Sequence, residues 1–167
     1  MIQDLSKESI IHFLTAIGRR QPSSSLRKLL LSGGESITDE AFAYLDRLEA
    51  AGLQLLSISF ANGLGSRGMR AISRLAGLTT LIIHEARQLL TEDFVAAFAG
   101  GKLRELRHLE LADCPQLLDE CVDEVAISCP RLEELGLKRL DCMEDLSGMV
   151  TSARSLRTLR LVEMRYE

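Results

Sequence analysis

The chain has 167 residues, is 46% hydrophobic and 26% charged, and so has enough apolar material for one folded domain of ordinary globular composition. Aromatic residues make up only 4% and Trp is absent, which suits thin stacked layers of Leu, Ile and Ala better than one deep centre. The net charge of -4 is spread without acidic or basic blocks, which argues against nucleic acid and against a polybasic membrane surface as partners.

Residues 1–25 come first. Ser6 follows Leu5 as a helix N-cap, and Ile10, Ile11, Leu14 and Ile17 recur at helical spacing on one face. Pro22 and Ser23 to Ser25 then favour a loop. This segment is predicted to be an N-terminal capping helix or a partial repeat. Asp4, Lys7 and Glu8 stand where a signal peptide would need an apolar run, and no stretch approaches the roughly 18 to 20 apolar residues that span a bilayer. A cytoplasmic or nuclear location is the expectation.

Residues 26–167 carry a repeat. The pattern L-x-x-L-x-(L/I) starts at Leu26, Leu53, Leu78, Leu106, Leu132 and Leu156. Within each copy the aliphatics alternate to one side of a short strand, and another apolar residue follows six positions after the third: Ile37, Leu64, Leu89, Leu117 and Met143. A helical stretch closes each unit. Because a parallel connection needs a crossover of about a dozen residues or more, this arrangement predicts neighbouring parallel strands with the helices returning the chain on the other side. Thr38, Thr91 and Asp119 stand at the expected helix starts as caps. Phe42 and Leu45, Met69 and Ile72, Phe94 and Phe98, Val122 and Val125, and Leu146 and Val150 are the expected inward helix residues.

The four cysteines Cys114, Cys121, Cys129 and Cys142 form no C-x-x-C pair, so metal-ligand spacing is missing and buried free thiols are expected. Gly63-Leu64-Gly65-Ser66-Arg67-Gly68 has the outline of a dinucleotide fingerprint, with Glu85 about 20 residues on. It falls in register with the units on both sides, where glycines serve tight turns, and no second mononucleotide half follows. His84 and His108 are offset by about four residues on adjacent strands, roughly 13 Å, which is too far to share a metal or a relay. The pairs Glu133-Glu134 and Asp119-Glu120 are sequence neighbours and point to different sides, unlike a catalytic dyad. No catalytic residue, cofactor site or metal site is assigned, and the chain is not expected to be an enzyme.

The units resemble leucine-rich repeats of the cysteine-containing kind, about 26 residues long, found in F-box proteins of the leucine-rich-repeat class. Cys114, the Cys129-Pro130 pair and Ile37-Thr38-Asp39-Glu40-Ala41-Phe42 carry that resemblance. Leu64-Gly65-Ser66-Arg67-Gly68-Met69 is similar to the ribonuclease-inhibitor-like repeat. Gly34, Ala61, Ala86 and Leu140 depart from the pattern where Cys or Asn would bond the loop backbone, so those loops are expected to be held less firmly. The resemblance implies an α/β fold, a right-handed leucine-rich-repeat solenoid with about six parallel strands on the concave side and helices on the convex side. It also implies protein recognition, as the substrate-recognition part of an F-box-type ubiquitin-ligase adaptor. No F-box is visible in residues 1–25. A ribonuclease-inhibitor-like or innate-immune sensor segment is the alternative, and a nucleotide-binding enzyme the weaker third.

The third, fifth and seventh residues of each unit point away from the core and form three columns. They read Lys28, Leu55, Thr80, His108, Glu134, Thr158; then Leu30, Ser57, Ile82, Glu110, Gly136, Arg160; then Ser32, Ser59, His84, Ala112, Lys138, Val162. Leu30, Leu55 and Ile82 are predicted to anchor a protein partner, with Thr80, His84 and His108 at the rim and Glu110, Glu134, Lys138 and Arg160 setting orientation. Past Leu161 no helix follows to cover the last layer, so self-association at that end is expected.

Overall fold

The structure is a computed structural model that describes residues 7–19, 26–32, 38–46 and 52–164. Ser6, Pro22, Ser23 to Ser25, Gly34 and Ile37 lie outside the described residues, as does the side chain of Ile17. Six five-residue strands, Lys28–Ser32 (β1), Leu55–Ser59 (β2), Thr80–His84 (β3), His108–Ala112 (β4), Glu134–Lys138 (β5) and Thr158–Val162 (β6), form one parallel sheet in chain order. The helices are Lys7–Arg19 (α1), Asp39–Phe42 (α2), Ser66–Ser73 (α3), Thr91–Phe98 (α4), Asp119–Ser128 (α5) and Ser147–Ser152 (α6). Among the described elements, helix neighbours helix in chain order, each lying beside the helices next to it in sequence. The molecule is therefore an α/β stack of layers in which each of β1 to β5 is followed by a helix and β6 is the last described element.

The Leu ladder explains the stack. The second and fourth residues of the strands point to the helix side, where Leu56, Leu81, Leu109, Leu111 and Leu135 are fully buried. Each such side chain contributes about 1.5–3 kcal/mol through its removal from water. Leu64, Leu89, Leu117 and Met143 close each layer and are likewise buried. Strand register is in step throughout, with Leu81 beside Leu56 and Leu109, and Leu135 beside Leu109 and Leu159. A slip of one residue would turn the whole ladder outward, so burial enforces the alignment.

Each strand from β2 onward stops at a residue of left-handed conformation, Phe60, Glu85, Asp113, Arg139 and Glu163, at φ between 49° and 57°. The turn redirects the backbone, and the amides of Glu85, Asp113 and Arg139 each donate to the last strand carbonyl of the next layer at 2.9–3.1 Å. Beyond it a repeated loop bond forms, Leu64 to Ala61, Leu89 to Ala86, Leu117 to Cys114 and Met143 to Leu140, at 2.9–3.3 Å. It forms whether or not the loop carries Cys, so backbone geometry holds these turns. The thiol of Cys114 adds a bond to its own loop, donating to the carbonyl of Ala112 at 3.3 Å.

Two sequence expectations change. Thr38 does occupy an N-cap, but its hydroxyl makes no capping bond, and Leu90 and Leu118 take the N-cap positions of α4 and α5. The polar side chains at these helix starts reach into the following layer instead. Asp39 accepts from the amides of Gly65, Arg67 and Gly68 at 2.8–3.1 Å. Thr91 donates to the carbonyl of Gln116 and accepts from the amide of Leu118, and Asp119 accepts from the amides of Glu144 and Asp145. The second change is in α6, where Met149 is buried and Val150 is 60% exposed. Leu146 is the N-cap there, with the carboxylate of Asp145 taking the amide of Ser147, and this start turns Met149 inward.

Candidate functional site

The second and fourth residues of β1 to β5 share one buried core with the helices, and among the described residues no element packs on the opposite side of the sheet. That open face carries the three columns in the register derived from sequence: Lys28, Leu55, Thr80, His108, Glu134 and Thr158 are aligned in one, and Leu30, Ser57, Ile82, Glu110, Gly136 and Arg160 in the next. Leu30 is 72% exposed, whereas Leu55 and Ile82 are half-buried. Leu30 and Ile82 flank Ser57, and Leu55 sits in the neighbouring column, so the aliphatics form a triangle with Ser57 midway along one edge. Thr80 lies beside Leu55 on the next strand.

The middle strands carry a connected set of polar side chains. His84 bonds to one oxygen of Glu110 at 2.9 Å, and the other oxygen of that carboxylate lies 3.8 Å from Nε2 of His108. The Nδ1 of His108 in turn meets Glu134 at 3.1 Å. The two histidines are thus linked after all: their strand offset keeps the rings apart, and the Glu110 side chain fills the interval. Column arithmetic along adjacent strands misses this because it counts backbone positions and ignores the reach of the residue between them.

Gly136 shapes the same network. A Cβ there would lie 3.3 Å from Cγ of Glu110, so the glutamate lies over bare backbone. With no side chain in the way, Arg160 reaches across two strands to Glu110 at 3.7 Å and to Glu134 at 4.0 Å. Lys138 is half-buried on the seventh-residue column, beside the buried Ala112. Five of the residues predicted to orient or rim a partner, His84, His108, Glu110, Glu134 and Arg160, are therefore brought together, and the three aliphatics form a separate neighbouring group.

The strand ends bear charge as well. At the C-terminal ends, Arg139 donates to Asp113 at 2.6 Å and to Glu163 at 2.9 Å. These bonds hold the carboxyls of Asp113 and Glu163 below their ordinary values. The three line an open cleft of about 480 Å³ with Arg87, Pro115, Asp141 and Met164. At the N-terminal ends, Arg107 pairs with Glu133 at 2.5 Å and Arg131 pairs with Glu105. Neither strand end was singled out from sequence, since their residues come from separate loops. Among the described residues, no group of His, Cys, Asp or Glu has the geometry to hold a metal ion, and no helix is long and apolar enough to cross a membrane.

The glycine motif at residues 63–68 is occupied from within. The Asp39 carboxylate takes the amides of Gly65 and Gly68, which are the donors a phosphate would use at this helix start. Gly68 is needed for close approach, because a Cβ there would meet Cβ of Phe42 and Cδ1 of Leu64 at 2.6 Å. The glycine thus serves the contact between layers, where sequence had suggested only a tight turn.

No family model matches the chain. It is 26% identical over 124 residues to F-box/LRR-repeat protein 4 from Bos taurus, an alignment covering 74% of this chain and 20% of that protein. The chain therefore spans about a fifth of the length of that curated relative. In fold it is similar to a structure described as the crystal structure of the Rad7 and Elc1 complex in yeast, at TM-score 0.58 and 15% identity, covering 94% of this chain and 50% of that one. It is also similar to the tropomodulin C-terminal domain of Caenorhabditis elegans, at TM-score 0.59 and 13% identity, covering 90% of this chain and 93% of that one. Together with the stacked layers, these likenesses make it a repeat-type protein.

Proposed function

We propose that the chain is a right-handed leucine-rich-repeat solenoid of the cysteine-containing subtype, with α1 as its cap and repeats from residue 26, and that it recognises another protein through the open, concave side of its sheet. The observation that carries this reading is the open face itself: an ordered array in which the exposed Leu30 and the half-buried Leu55 and Ile82 stand beside a connected polar network, with no covering element among the described residues. An apolar anchor bordered by oriented charges supplies both affinity and register to a protein partner. The F-box/LRR-repeat relative and the fold likeness to the Rad7 structure support a ubiquitin-ligase setting, with this chain as substrate-recognition module in the cytoplasm or nucleus. No catalytic role is proposed, and Asp39 filling the amides of the glycine motif supports that reading. The exposed β6 is proposed as a surface for self-association.

The test uses a partner first identified by cross-linking to the full chain and then titrated in purified form. Replacing Leu55 and Ile82 together by Ser is expected to weaken binding by more than about 1 kcal/mol, the usual hot-spot threshold, with circular dichroism and melting nearly unchanged. Wild-type affinity in that variant, combined with loss of binding in Ile127→Ser on the helix side, places the partner on the other surface and overturns the proposal; Ile127 is 68% exposed there.

A further inference from the structure

The N-terminal strand ends of the last three layers form an open cleft of about 590 Å³ whose charged lining is Arg107, Arg131, Glu133, Arg154 and Arg157. Glu133 is taken by Arg107, and Arg131 is taken by Glu105 just outside the cleft. Arg154 and Arg157 have no acidic partner among the described residues. Their backbones are nonetheless fixed: the amide of Arg157 donates to the Glu133 carbonyl at 2.8 Å, and that of Arg154 to the Ser152 carbonyl at 2.9 Å. Between them the Ser155 hydroxyl donates to the Pro130 carbonyl at 2.7 Å, which pins the connecting turn to the preceding layer. Two exposed arginines without an acidic partner among the described residues thus line one cleft from anchored backbone, in a chain whose net charge is -4.

We infer that this cleft binds the phosphoryl group of a phosphoserine or phosphothreonine on a protein partner, gripped by Arg154 and Arg157. A phosphomonoester carries about -1.5 to -2 charge near neutral pH and three acceptor oxygens, which matches two unpaired guanidinium groups able to bind it through paired N–H donors. A nucleic acid fits worse, because a continuous polyanion running along this rim would meet Glu105 and Glu133 as well as the arginines. The inference rests on the protein-recognition reading above and adds a modification-dependent contact at a site separate from Leu30, Leu55 and Ile82.

The experiment titrates the full chain, ¹⁵N-labelled, with acetyl-phosphoserine amide and follows the arginine Nε–Hε signals. A library of peptides with one central phosphoserine and random flanks, its unphosphorylated counterpart and a single-stranded oligonucleotide are measured alongside by fluorescence anisotropy. Expected are saturable shifts largest at Arg154 and Arg157, and peptide binding that needs the phosphate. The double variant Arg154→Ala with Arg157→Ala should lose at least about tenfold in affinity, and Arg154→Lys with Arg157→Lys should lose a smaller part, since lysine keeps the charge without the paired donors. Leu55→Ser with Ile82→Ser should leave phosphoserine amide binding unchanged. Small, non-saturating shifts spread over all arginines overturn the inference, as does oligonucleotide binding that is tighter than peptide binding and lost in the same alanine variant. If a purified partner is captured through Leu55 and Ile82 but phosphate makes no difference, this inference fails while protein recognition stands; if phosphopeptide binding holds and the Leu55 and Ile82 change leaves partner binding intact, the reverse is true.

Discussion

The side chain of Asp39 does the work of several capping residues, because its two oxygens satisfy three amides of the following layer. Removing it leaves those donors without their acceptor at the start of α3, so Asp39→Ala is expected to cost about 1–3 kcal/mol in urea unfolding, with Asp39→Asn intermediate. An Asp39→Ala protein as stable as the parent would show that water replaces the carboxylate without loss. The thiols make a second case. Burial pushes Cys114 and Cys121 from the ordinary 9.0 up to about 11 and Cys129 up to about 12, while Cys142 is exposed. At neutral pH one thiol should react quickly with a disulfide reagent and three should wait for unfolding. Their folded values lie above the unfolded one, so the stability they contribute is fully present below pH 9.0 and is lost as pH rises through about 11 to about 12. Fast labelling of Cys114 or Cys129 in the folded protein would contradict their placement in the packed ladder.

β6 differs from the strands before it in one respect: its helix-side residues are half open. Leu159 and Leu161 are 37% and 42% exposed, against 0% and 1% for Leu135 and Leu137 at the same positions of β5. Leu135→Ala should therefore cost about 2–5 kcal/mol, whereas Leu159→Ala should cost about 1 kcal/mol or less. Hydrogen exchange should run faster in β6 than in β3 to β5, and equal protection across all four strands would mean that another surface covers β6 in solution. The comparison also shows which elements were legible in the sequence. The strands were, because alternation has a period of two and six copies repeat it in step. The assignment of α6 was not: a spacing of four from Leu146 pointed to Val150, and the turn at Asp145 and Ser147 decided for Met149, three residues on. Local cap patterns misled in the same way, since Thr91 and Asp119 look like caps for their own helices but bond residues about one layer further along.

For the molecule as a whole, what sequence conveyed was the alignment of its columns, which depends only on strand period and repeat length. What it could not convey was contact between residues brought together by side-chain reach, such as Glu110 with both His84 and His108, or the arginine cleft assembled from three separated segments. Net charge conceals that cleft because Glu105 and Glu133 offset half of its arginines. The layered order has a mechanical side. Sheet bonds between parallel strands, together with the reach of Asp39, Thr91 and Asp119 into the next layer, lie broadly along the line on which the layers are stacked. A tension applied between the two ends of the stack loads them one junction at a time, as in peeling. In an optical trap the protein should lengthen in a series of soft steps of about 85–90 Å, the contour of some 26 released residues, starting from the β6 end, and one abrupt rupture of full length would show that the layers yield together. Such a chain resists disturbance at its middle and gives way from its rims, more like a coiled spring than a closed shell.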